Sequence, residues 1–207
     1  MSTIKTTNIT HGSNSGTANL VLASDGTTAM KGHILQVVSY ESGASYESAA
    51  VSPSSNPETS WMDLKTTGSD FLAATITPAA TTSKVMISFH LTGEGNTSDE
   101  TWRIRLSRAI SGGSTTYIQG TAAGSRVPCI GTLYPGYHGD DNDSTPSSFV
   151  VANLVDSPST TSATTYTVQM NNKNGSKTFN LNRTNANTDD SNQEVGYSYI
   201  TLMEIGG

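Results

Sequence analysis

The side chains able to do chemistry here are four histidines, 17 carboxylates and a large stock of hydroxyls, and their spacing argues against an active site. Serine and threonine number 60, so a chance approach of Ser, His and Asp says nothing about nucleophilic catalysis. His90 falls on the polar face of an alternating run, His33 precedes another, and His11 and His138 stand in polar, Gly-containing segments. No two histidines have a metal-ligand spacing. Asp140, Asp141 and Asp143, with Asn142 and Ser144, offer hard oxygens to calcium but lack the Gly and distal Glu of an EF-hand loop. That run reads as a solvated loop, as do Glu94, Asp99 and Glu100. The carboxylates sit in loops with nothing to hold two of them across a cleft, as glycoside hydrolysis would require. The expectation is a protein without enzymatic activity or cofactor, calcium at Asp140, Asp141 and Asp143 being the one ion to consider. The loop aromatics Tyr134 and Tyr137, beside His138, have the ring faces and polar tips that stack on sugars, and are candidate contacts to a host-surface glycan. Around a second polar loop stand Tyr40, Tyr46 and Trp61, although Trp61 and Met62 better suit a plug at the edge of a β-sandwich.

Composition narrows the partners. Leu, Ile, Val and Phe total 37 of 207 residues, about 18%, yet charged residues are only 14% and the net charge is −6. A disordered polyelectrolyte carries far more charge, so the chain is poor in core without being unfoldable. Such a chain folds if it is rich in β-branched residues and buries part of its apolar surface against copies of itself. A pI near 5.0 leaves no basic stripe for nucleic acid. Arg103, Arg105 and Arg108 form the one basic cluster and read as a strand face or a contact between subunits. No run approaches the roughly 20 apolar residues that span a bilayer, and Met1-Ser2-Thr3-Ile4-Lys5 lacks the apolar core of a secretory signal. The single Cys129 excludes an internal disulfide and fits a reducing compartment.

Periodicity places these residues on strands. Lys84 to Thr92 sets Val85, Ile87, Phe89 and Leu91 against Met86, Ser88, His90 and Thr92. Thr101 to Ala109 turns Trp102, Ile104 and Leu106 inward and Arg103, Arg105 and Ser107 outward. Further strands are predicted over Ile34 to Tyr40, Phe71 to Thr77, Thr115 to Gly120, Phe149 to Val155, Thr164 to Asn171, Lys177 to Leu181 and Tyr197 to Ile205. Ser111-Gly112-Gly113-Ser114 and Asn174-Gly175 are turn signals between them. Long polar loops are expected at 42–60 and 133–148, and no window supports a helix. The last strand has Tyr197, Tyr199, Met203 and Ile205 on one face and Ile200 and Leu202 on the other, so both faces want cover. The expectation is an all-β jelly roll or β-sandwich of about 8 to 10 antiparallel strands over residues 33–207. Residues 1–32 form an N-terminal β arm with a small hairpin, its anchoring candidates Ile4, Ile9, Leu20, Val21 and Leu22.

Lys84-Val85-Met86-Ile87-Ser88-Phe89, Arg103-Ile104-Arg105-Leu106, Asn153 to Pro158 leading into Thr165-Tyr166-Thr167-Val168-Gln169, and the closing Tyr199 to Ile205 carry a resemblance. With Met1 to Lys5 and Leu22 to Thr27, they make the chain similar to the C1q and tumour-necrosis-factor type jelly rolls of tailed-bacteriophage virion proteins, marine phages especially. The resemblance implies a homotrimer with its last strand near the axis. Tyr197, Tyr199, Ile200, Leu202, Met203, His90, Arg103 and Arg105 are the candidate trimer contacts. The resemblance does not say where on the virion the trimer sits; taken with composition and size, the expectation is a protein made in the bacterial host cytoplasm and carried on the virion exterior, in contact with other virion proteins such as the major capsid, tail or fibre proteins, and with neither nucleic acid nor membrane. Capsid decoration or cement is the leading expectation, because the domain has no coiled-coil shaft to project a tip. A tail-fibre or receptor-binding protein is the alternative.

Overall fold

Runs that alternate apolar and polar side chains become half-buried strands, and the strands from residue 34 onward pair into two sheets whose apolar faces meet. The structure is a computed structural model that describes residues 8–9, 20–22, 28–29, 32–44, 46–51, 61–96, 101–134, 146–172, 177–186 and 188–207. Three short strands come first, β1 (Asn8–Ile9), β2 (Leu20–Leu22) and β3 (Thr28–Ala29), and make an antiparallel sheet of their own. Then follow β4 (Ile34–Ser42), β5 (Tyr46–Val51), β6 (Met62–Asp63), β7 (Ala73–Ile76), β8 (Lys84–Gly95) and β9 (Trp102–Ile110). The chain continues through β10 (Thr115–Ile118), β11 (Gly131–Leu133), β12 (Ser147–Asp156), β13 (Thr164–Asn172), β14 (Lys177–Leu181) and β15 (Ser198–Ile205). Among the described residues there is no helix, and none long and apolar enough to cross a membrane.

Several of these segments are halves of one longer strand. β15 and β14 lie end to end along one edge of β8, while β4 and β5 continue the row by pairing with β15 and β14 in turn; β12 takes the other edge of β8. In the second sheet β10 and β11 share one edge of β9, β13 lies on the other, and β7 and β6 share the far edge of β13. Each sheet is therefore four strands wide and antiparallel. In chain order the joined strands lie 1-8-3-6 in the first sheet and 2-7-4-5 in the second, the double winding of a jelly roll.

The core sits between the sheets. Val85, Ile87, Phe89 and Leu91 of β8 and Ile200 and Leu202 of β15 face Trp102, Ile104 and Leu106 of β9 and Tyr166, Val168 and Met170 of β13, all fully buried. Trp102 meets Phe179 of β14 edge-on with ring centroids 5.2 Å apart. Glycine makes that approach possible. A Cβ on Gly95 would lie 2.7 Å from Trp102 Nε1, and one on Gly93 would strike the Phe179 ring and the Asn180 carbonyl. β8 accordingly runs on through Thr92-Gly93-Glu94-Gly95, past the Thr92 limit that alternation suggests.

The expected loop at 42–60 is also partly strand: Tyr46–Val51 is β5, paired with β14. The predicted strand Phe71 to Thr77 shortens to Ala73–Ile76, with Phe71 instead bridging Lys65. Before residue 32, β2 pairs with β3, Val21 opposite Ala29 and Leu22 opposite Thr28, and β1 adds beside β2; residues 23–27 of the expected hairpin lie outside the described residues.

Candidate functional site

The two outer faces of the sandwich differ in chemistry. On β13 and its neighbours the outward side chains are Thr165, Thr167, Gln169 and Asn171, opposite Ser107, Arg105 and Arg103 of β9. They bind one another. Thr75 and Thr165 share a 2.8 Å hydroxyl contact, Arg103 Nη1 donates to Asn171 Oδ1 at 3.1 Å, and Gln169 Nε2 donates to Asp63 Oδ1 at 2.8 Å. The Arg105 guanidinium lies between the Tyr117 and Trp61 rings, 3.7 and 4.2 Å from their centroids, while its Nε donates to Gln169 Oε1 at 2.7 Å. Burial pulls the Arg105 pKa down, countered by Tyr117 and then by Asp63. Thr165, Arg103, Arg105, Gln169 and Asn171 of this face thus have partners within the protomer.

The outer face of the β4–β15–β8–β12 sheet is apolar where the other is polar. Register puts Val37 beside Met203, Met203 beside Met86 and Met86 beside Val155, a single row of four apolar side chains crossing four strands. Ile34 and Ile205 pair immediately below it. Val37 and Ile34 are each 55% exposed and Val155 50% exposed, so water covers much of the row in the protomer. Above it comes a hydroxyl row, Ser39, Thr201 and Ser88, and then Glu41, Tyr199, His90 and Val150. In this upper row the Tyr199 and His90 rings lie 5.8 Å apart, and His90 Nδ1 is 2.8 Å from the Tyr197 carbonyl oxygen. Tyr197 Oη donates to Glu41 Oε2 at 2.6 Å, and that bond, ahead of burial, raises the Tyr197 pKa.

Of the expected trimer contacts, Tyr197, Tyr199, Met203 and His90 thus come together here. Ile200 and Leu202 do not join them. Both are 0% exposed, because strand alternation turns every second residue of β15 into the core. Arg103 and Arg105 do not join them either, since β9 belongs to the other sheet and their guanidinium groups are held by Asn171, Gln169, Gln119 and the two rings. Sequence reasoning missed Val37, Met86, Val155 and Ile34, whose alignment exists only through cross-strand register.

No protein-family model and no curated protein matches the chain. Among solved structures, a chain in the structure of infectious bursal disease virus, Gt strain, aligns over 96% of this chain at 10% sequence identity and a TM-score of 0.41. The alignment takes in 51% of that chain, so the present chain spans about half its length.

The remaining candidates lie apart from the apolar row. Tyr134 is 51% exposed just after β11. Tyr137, His138, Asp140, Asp141 and Asp143 lie outside the described residues, as does Ile4, while Ile9 belongs to β1 and Leu20, Val21 and Leu22 to β2. Among the described residues no three His, Cys, Asp or Glu side chains gather in a way that could hold a metal ion. Trp61 packs on Arg105 rather than standing as an open stacking platform, and Cys129 is a half-buried free thiol.

Proposed function

We propose that this chain is a non-enzymatic virion structural protein, a homotrimer that decorates the capsid exterior, with residues 1–32 as the arm that anchors it to neighbouring virion proteins. The observation that carries the assembly half of this reading is the apolar row Val37–Met203–Met86–Val155. A chain with only 37 strong hydrophobes sets two of them in an exposed row with two methionines, while its other sheet face is polar and internally bonded. Burying that row against copies of the same row removes apolar surface from water at about 25 cal/mol per Å². The occupant we assign is a second and third copy, because the row itself carries no charge: Lys84 pairs with Ile205 in the row below it, and Glu41 pairs with Tyr199 two rows above. The phage-protein resemblance supports the virion setting and the count of three.

Two measurements test it. Light scattering on the full chain is expected to give three times 21.7 kDa. Cryo-electron microscopy of intact particles is expected to show this domain repeated on the capsid lattice, and particles carrying the chain without residues 1–31 are expected to lose it. Density confined to tail or fibre ends would instead make receptor recognition the working account.

A further inference from the structure

We infer that His90 makes assembly through this face pH-dependent, the copies associating with the imidazole neutral and separating when it is protonated. The inference rests on the homo-oligomer reading above and names a regulator of that same face.

His90 stands on the outer side of β8 between Val150 of β12 and Tyr199 of β15. A carbonyl oxygen can only accept, so the 2.8 Å contact with the Tyr197 carbonyl places the proton of the neutral ring on Nδ1 and leaves Nε2 as the lone-pair nitrogen. Among the described residues no hydrogen bond is made by Nε2. The ring is therefore fixed in tautomer and orientation with one titratable nitrogen left for the surface.

The charged and titratable groups around it offer an imidazolium little support. β12 contributes Val150 and Ser148, without charge, and β15 contributes Tyr199 and Thr201. Glu41 of β4 lies one strand further, across Tyr199, and its carboxylate accepts the Tyr197 hydroxyl. On β8 itself Lys84 is at the far end of the face, and Glu94 is buried with its carboxylate accepting the Asn185 amide. A copy closing over this surface brings mainly Val, Met, Tyr, Ser and Thr, with Glu41 and Lys84 at the two ends of the face and Glu41 already accepting the Tyr197 hydroxyl, so water is displaced without replacing the solvation that a cation needs.

The sign follows from linkage. A cationic ring loses more solvation than a neutral one when a copy covers it, so closing the face disfavours the protonated imidazole. Assembly is therefore stronger where the imidazole is neutral and weakens as acid protonates it.

The test is sedimentation velocity on the full chain at about pH 7.5 and about pH 5, at one ionic strength, with circular dichroism at both and a return to the higher value. Expected for the wild-type chain is a trimer at the higher pH, a folded monomer at the lower, and recovery on return, with the dissociation constant changing by more than about tenfold. His90→Gln and His90→Thr are expected to stay assembled at both. Wild-type trimers that persist at the lower pH, substituted trimers that dissociate as the wild type does, or loss of β signal with dissociation would each overturn the switch and leave the homo-oligomer standing. A wild-type monomer at the higher pH would overturn the homo-oligomer reading itself.

Discussion

Asp156 shows how a single residue ties the two sheets together. It faces inward from β12 opposite Val85, and its two oxygens lie 2.8 Å from Arg108 Nη1 on β9, while Tyr166 Oη of β13 donates to Oδ2 at 2.8 Å. Asp156→Ala leaves two largely buried donors without an acceptor, which costs about 2 kcal/mol. In a domain of this size a melting temperature lower by about 4–8 °C is expected in a thermal unfolding scan. Burial, reinforced by the Asp156 carboxylate, holds the Tyr166 phenol well above its ordinary value of about 10. A phenol whose pKa is raised in the folded chain ionises first in the unfolded one. Its contribution is intact below about pH 10 and falls as pH rises beyond it. Denaturant midpoints measured across that range are expected to drop for the wild type and to stay flatter for Tyr166→Phe. The expectation that Arg103, Arg105 and Arg108 share a strand face fails by parity: 103 and 105 share one face of β9 and 108 takes the other, with the inward Trp102, Ile104 and Leu106. The partners of Arg108 were not legible, because Asp156 and Tyr166 meet across two sheets and no local spacing records that.

At the scale of the element, β15 carries the sharpest contrast. Leu202 is fully buried and Met203, the next residue, lies in the exposed row beside Val37 and Met86. Leu202→Ala is expected to cost about 2–5 kcal/mol through lost burial and the cavity left behind. Met203→Lys is expected to change protomer stability by no more than about 0.5 kcal/mol and yet to abolish trimers in light scattering. An outcome in which Met203→Lys assembles as the wild type does would remove this row from the interface. Long strands with clean alternation, β8, β9 and β13, were legible because one face of each is core, and β15 was legible as an apolar run on both faces. β5, β6 and β11 were not, since two to six residues in polar surroundings have too few alternations to read, and pairing with β14, β13 and β9 decides them. β12 hides its register in another way. A bulge between Val151 and Leu154, with Asn153 at a φ of 59°, shifts the alternation so that Val150 and Val155 both face outward. Four apolar side chains from four strands then form one row that no single stretch of sequence displays.

At the scale of the whole molecule, the difference between the two outer faces sets an orientation. Side chains on the β13 side have their polar atoms matched by neighbours, as with Thr75 and Thr165 or Arg105 and Gln169, and lose little by facing water. The β15 side exposes Ile34, Val37, Val150 and Val155, an apolar surface that water penalises. If three copies close on the second face, the first becomes the outside of the assembly, and the two are then unequal in reach although both are open in the protomer. Cysteine placed at Thr75 or at Val37, in a chain whose native Cys129 is replaced by Ser, reads this directly, since both positions are exposed in the protomer. Maleimide added to assembled particles is expected to label Thr75→Cys and to spare Val37→Cys, with both labelled once the chain is denatured. The reverse pattern would turn the apolar face outward and detach the decoration reading from it. Equal labelling of both would leave that face in contact with nothing on the particle, and the row would have to be explained by a contact other than another copy of this chain.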